Sequence, residues 1–206
     1  MSTESSTVAG QNPADAAPEG FVGVGFWVRA AGRLIDFVPH YVLWFGATLI
    51  FALGLGIYGG ITNADVTPLA QKLSTSRWYD YVTSALGSLS YFTLMELTCG
   101  ATVGKRLLGL IVVRCDGGAI GFRAALGRSL AIYVDGFLFG MPAYDAMKSS
   151  PLRQRLGDRW NGTLVIKRST LPPGSGVANR SFFLALLCGA GAECACCWLS
   201  ALLKIV

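Results

Sequence analysis

Arg29, Arg33, Asp36 and His40 follow one another at steps of four, three and four residues. On one continuous helix this spacing puts all four side chains in a single stripe. Arg33 and Asp36, one turn apart, can form an ion pair, and a histidine changes charge near neutral pH. The stripe could relay protons or a small cation. It could equally be an interfacial ion pair that fixes the register of a helix. Pro39 lies within it, and a proline removes a backbone hydrogen bond and kinks or interrupts a helix. Asp135, Asp145 and Glu193 are further carboxylates inside apolar runs. A cation path needs acidic oxygens at membrane depth, where an unpaired charge is costly. Each could instead pair with an arginine, cap a broken helix or face a partner subunit.

The elements that must carry these groups are apolar. The chain has 206 residues, 52% hydrophobic and 14% charged, against about 25% charged in soluble domains. Its mean hydropathy is +0.50. Residues 37–61 hold His40 and no Asp, Glu, Lys or Arg, and about 20 apolar residues cross a bilayer core. Three more apolar segments follow at residues 79–97, 129–147 and 181–203. The second ends at Glu96, the third is broken by Asp135, Pro142 and Asp145, and the fourth contains Glu193. Residues 21–35 mix Phe26, Trp27 and Leu34 with Arg29 and Arg33, which predicts a short interfacial helix. Residues 1–20 have no Lys or Arg and no apolar core, so a disordered tail is expected there, not a signal peptide. Residues 21–168 form the membrane domain, 169–180 a linker, and 181–206 an additional C-terminal helix.

Charge orients the segments. Lys105, Arg106, Arg114, Arg123 and Arg128 separate the second from the third, and seven basic residues from Lys148 to Arg180 precede the fourth. The positive-inside rule puts both loops and the N-terminus in the cytoplasm and residues 62–77 outside. The third segment must then re-enter and return, with a break that Gly136, Gly140 and Pro142 permit, or lie in the interface; the simpler alternative is a single crossing against the charge rule. The net charge of +5 fits anionic lipid on the cytoplasmic face, not nucleic acid. Lys105, Arg106, Arg128, Arg153 and Arg155 are the basic residues expected there, meeting lipid phosphates or, for the first two, capping the second helix. Residues 110–113, Asp116-Gly117-Gly118 and residues 119–122 have the pattern of a β-hairpin. A third strand at residues 163–166 is expected to pair around Val112, bringing Asp158 near the Arg33 end of the first helix, or near Lys105 or Arg106.

Four of six cysteines lie in the last segment, three of them as Cys194, Cys196 and Cys197. The spacing matches no common zinc pattern, and apolar packing is expected, with palmitoylation and metal as alternatives. Gly100 to Arg106 is one residue short of a phosphate loop and lacks its hydroxyl, so nucleotide binding is rejected. No enzyme motif is present, and no cofactor is expected.

Taken together, Ala31-Gly32-Arg33-Leu34-Ile35-Asp36, Thr102-Val103-Gly104-Lys105, Arg128-Ser129-Leu130 and Arg155-Leu156-Gly157-Asp158 resemble the RDD family of polytopic membrane proteins. That family is named for one arginine and two aspartates, which match Arg33, Asp36 and Asp158. The family's usual proline is Val103 here. The resemblance covers about residues 25–168 and implies a bacterial-type inner-membrane protein, with sodium–proton exchange among the activities linked to members. The expected fold is an all-α integral membrane helical bundle of three to four membrane segments, the third re-entrant. A small cytoplasmic β-hairpin or sheet and an interfacial N-terminal helix complete it. The expected function is a small cation/proton-coupled transport component acting as an oligomer, with Arg33, Asp36, His40, Asp135, Asp158 and Glu193 on the ion path. The alternative is an accessory or assembly subunit of a larger membrane complex.

Overall fold

The computed structural model describes residues 21–75, 77–171 and 181–205. The expected tail at 1–20 and most of the expected linker lie outside them. The described residues are mostly helical, with one two-stranded sheet.

Helix α1 runs from Phe26 to Thr62 without interruption. The interfacial helix expected at residues 21–35 is therefore not a separate element. Gly32 is the one weak helix former between Phe26 and Phe37, and Pro39 costs only one backbone bond. At 1.5 Å per residue, 37 residues span about 55 Å, well beyond a hydrocarbon core of about 30 Å. One end of α1 must stand clear of the apolar layer. A short helix α2 (Thr67–Ser74) leads to α3 (Trp78–Cys99), and α8 (Phe182–Ile205) is the last element.

α1 and α8 are each long and apolar enough to cross a membrane. His40 meets Glu193 and Thr48 meets Cys197, so these two helices run parallel. Lys204, near the end of α8, pairs with Asp80 at the start of α3. Tyr91, Phe92, Met95 and Cys99 of α3 form one apolar cluster with Ala185 at the start of α8. α3 is thus antiparallel to both. Among the described residues, α1, α8 and at most one bent pair of helices are long and apolar enough to cross a membrane.

The third apolar segment is two helices, α5 (Phe122–Asp135) and α6 (Phe137–Ser149), bent by 113°. Leu138, Phe139 and Gly140 take left-handed φ values of 46°, 58° and 87° at the bend. Only the glycine does so without steric cost. The pair is a broken span or a re-entrant loop, as the placement of Gly136, Gly140 and Pro142 predicts.

Strand β1 (Leu110–Arg114) pairs antiparallel with β2 (Thr163–Lys167), Val112 opposite Val165. This is the expected pairing of the two distant stretches. The expected hairpin arm at residues 119–122 is not a strand. Gly118 O accepts from Arg114 N at 2.9 Å and closes the turn, but Phe122 already begins α5. The free side of β1 is instead used by Gly100 O, which accepts from Val112 N at 2.7 Å. Both strands are continuous apolar runs, so both faces need cover. Phe21 packs with Ile111, Val113, Leu164 and Ile166 on one face, and Val24 with Leu110, Val112 and Val165 on the other. Helices α4 (Val103–Leu107) and α7 (Leu156–Trp160) complete this end.

The parallel run of α1 and α8 makes a topological prediction. In a cysteine-free background, Asn63→Cys and Lys167→Cys should label from opposite sides of sealed vesicles with a membrane-impermeant maleimide. Labelling of both from one side would mean that α3 does not return across the membrane.

Candidate functional site

The charged residues gather where the sheet meets the helices. Asp158, in the first turn of α7, has no exposed surface. Its carboxylate accepts from Arg29 of α1 and Arg128 of α5, and lies 3.3 Å from Arg155 Nε. Arg128 is equally buried. Its Nε donates to Glu96 of α3 at 2.9 Å, and its Nη1 donates to Thr163 Oγ1 of β2 at 2.7 Å. Glu96 also holds Lys105 of α4. Arg155 Nε is 3.4 Å from Asp135, whose carboxylate also accepts from Gly157 N at 3.3 Å. Desolvating each of these ions costs several kcal/mol, and their shared partners offset that cost.

Asp36 does not pair with Arg33, contrary to expectation. It accepts from Thr102 Oγ1 at 2.6 Å and from Gly104 N at 2.7 Å, and it is 1% exposed. α4 therefore docks on α1 through the carboxylate. The docking depends on Gly104: a Cβ there would lie 1.9 Å from Gly32 O. Arg33 lies over the ring of Phe92 at 3.5 Å to the centroid and has no ion pair among the described residues. A cavity of about 460 Å³ opens beside it, lined by Arg29, Arg33, Asp36, Glu96, Lys105, Arg128, Asp135 and Arg155 and by apolar side chains of α1, α3, α5 and α6.

Deeper along α1, His40 Nδ1 contacts the Glu193 carboxylate. Glu193 is 1% exposed, and neither of its oxygens forms a hydrogen bond to another group among the described residues. At the far end of the bundle, Asp80 meets Ser200 and lies 3.0 Å from Lys204. The ionisable groups thus form three clusters along the bundle.

The expected site residues divide accordingly. Arg33, Asp36, Asp135 and Asp158 come together at the sheet end, while His40 and Glu193 form their own pair. Asp145 is exposed and outside both groups. Of the residues expected at lipid phosphates, Arg128 is a correction: it is a buried bridge between carboxylates, not a surface cation. Lys105 and Arg155 likewise point to carboxylates. Arg106 lies over the Phe182 ring at 5.6 Å, and Arg153 is exposed, its carbonyl accepting from Arg29 at 2.8 Å. Asp158 meets Arg29, one turn before Arg33, and not Lys105 or Arg106. Glu96, Thr102, Asp80 and Lys204 were not singled out as site residues. A carboxylate closing an apolar run, as Glu96 does, is the one signal that marked any of them. The cysteines are free thiols, and among the described residues no cluster of three or more metal-type side chains occurs.

Burial alone would raise the Asp158 carboxyl, but Arg128, Arg29 and Arg155 outweigh it and hold the group well below the usual carboxylate range. A depressed folded value stabilises the fold fully above the unfolded value of about 4, and that stabilisation is lost as pH falls through the folded value. Thermal unfolding in mild detergent should therefore show Tm falling below about pH 4. Asp158→Asn should shallow that acid slope and destabilise the neutral protein by about 3–5 kcal/mol, because it takes from Arg29 its carboxylate and from the buried Arg128 one of two. A second prediction concerns Asp36. In double-mutant cycles read by unfolding, Asp36→Asn should couple to Thr102→Val by about 0.5–3 kcal/mol, and more strongly than to Arg33→Gln. The reverse order would restore the Arg33–Asp36 pair.

A family model for the RDD family matches residues 24–162. No curated protein and no solved structure matches the chain. The matched residues carry every charged group of the sheet-end cluster and stop before β2, with its Thr163, and before α8, which supplies Glu193 and Lys204. With most of its length matched and with helices apolar enough to span a membrane, the chain belongs to the RDD family of membrane-type proteins.

Proposed function

We propose that the protein carries protons, or a small cation exchanged against protons, across a bacterial-type inner membrane. The observation that supports this most is the His40–Glu193 pair, two titratable groups in contact inside the helix bundle. It lies between the Asp36–Glu96–Lys105 cluster at one end and the Asp80–Ser200–Lys204 cluster at the other. An imidazole and a carboxylate in contact can pass one proton between them. Ionisable groups at that depth are costly and mark ion or proton relays. The positive-inside rule, applied to the loops that flank the sheet, places this end and the N-terminus in the cytoplasm.

A second reading keeps the chain as an accessory subunit. Its support is Gly56 and Gly60, one turn apart on α1, which have open space beside them. Small residues let a neighbouring helix approach closely. A homo-oligomer would use the same side.

Reconstituted vesicles with a trapped pH-sensitive dye test the transport reading. Wild type should dissipate an imposed pH gradient faster than empty vesicles. His40→Gln and Glu193→Gln should each slow this by about tenfold or more, the scale of a lost general acid–base group. Equal rates in wild type and both variants would leave the accessory reading. Elution from mild detergent together with other subunits would then support it.

A further inference from the structure

The cavity beside Arg33 holds more cation than anion. Five cations and three carboxylates line it, and Asp158 behind it is the fourth carboxylate. The surplus cation is identifiable. Arg29, Lys105, Arg128 and Arg155 each pair with a carboxylate, whereas Arg33 lies over the Phe92 ring and has no ion pair among the described residues. Arg128 also leaves its Nη2 without a hydrogen-bond partner. A guanidinium with free donors is suited to two oxygens of one phosphate.

The remaining wall is unsuited to a free ion. Phe26 and Phe37 of α1 and Phe139 and Met147 of α6 line it. The rim is apolar and open: Leu34 is 65% exposed, and Phe139, turned outward by the left-handed bend, is fully exposed. A hydrated inorganic anion gains nothing from such a wall. An acyl chain, already out of water in the bilayer, moves into such a groove at little cost. We infer that the cavity holds one anionic phospholipid, its phosphate on Arg33 and one acyl chain between α1 and α6. Arg33 sits about two turns before His40 of the mid-bundle pair, on the part of α1 that extends toward the sheet, which is headgroup depth for a helix longer than the apolar layer. The inference does not depend on transport.

The test uses the full chain in phosphatidylcholine vesicles containing a trace of phosphatidylglycerol with a diazirine in one acyl chain. After irradiation, cross-linked peptides are mapped by mass spectrometry. Cross-links should concentrate in residues 26–37 and 137–147. Excess unlabelled phosphatidylglycerol should suppress them, while the same excess of phosphatidylcholine should not. Arg33→Gln should lower the yield about tenfold, as expected for loss of a charge-assisted hydrogen bond, with partial recovery in Arg33→Lys. Should Arg33→Gln fail to fold, the competition pattern in the wild-type chain decides alone. Equal competition by phosphatidylcholine would mean ordinary boundary lipid and would overturn the inference. Competition by millimolar inorganic phosphate would mean a free-anion pocket and would overturn it as well.

Discussion

One guanidinium with no contact to solvent sits where α3, α5, α7 and β2 meet. Arg128 bonds Glu96, Asp158 and Thr163 with a rigid planar fork, so those three elements cannot shift independently. Each carboxylate it holds takes a second cation, Lys105 from α4 and Arg29 from α1. The charge chain therefore reaches nearly every element at the sheet end. Such a chain adds little net stability over an apolar core of the same shape, because desolvation cancels much of the attraction. What it adds is uniqueness: any other arrangement strands a charge. The apolar burial that favours the compact state comes from the two faces of the sheet and from the α3–α8 seam.

That division explains what the sequence reveals. The spans at α1 and α8 are legible because apolar length is a local property. The bend between α5 and α6 is legible from Gly136, Gly140 and Pro142. The pairing of Val112 with Val165 follows from two short β-branched runs that each need a partner. Arg128 is not legible, because a basic residue in a basic loop looks like a surface charge, and its partners lie 32 and 30 residues away. The Arg33–Asp36 pairing fails for a related reason. Neighbours on one helix face are available to each other, but the backbone N–H of Gly104 and the Thr102 hydroxyl offer Asp36 a closer fit. The extended reach of α1 into the sheet end also escapes a local reading, since it shows up only as helix with nothing to stop it.

The three clusters differ in how fully their groups are used. At the sheet end, Asp158 and Glu96 each hold two or more cations. At the far end, Asp80 is held by Ser200 and Lys204. Only the middle rests on a single contact, His40 against Glu193. Groups held by several partners are suited to fixing shape, whereas the His40–Glu193 contact ties just two helices together.

The parallel arrangement of α1 and α8 has a consequence for biogenesis. α1 and α3 are synthesised before α8, and each carries a polar group, His40 and Asp80, whose partner is on α8. Until α8 inserts, those groups sit in the nascent bundle without their partners. The interval between translating α3 and α8 is thus a window in which chaperones or proteases of the membrane can recognise an unfinished chain. Closure of that window is signalled by α8 itself, and a chain stopped before it would expose two polar groups to lipid.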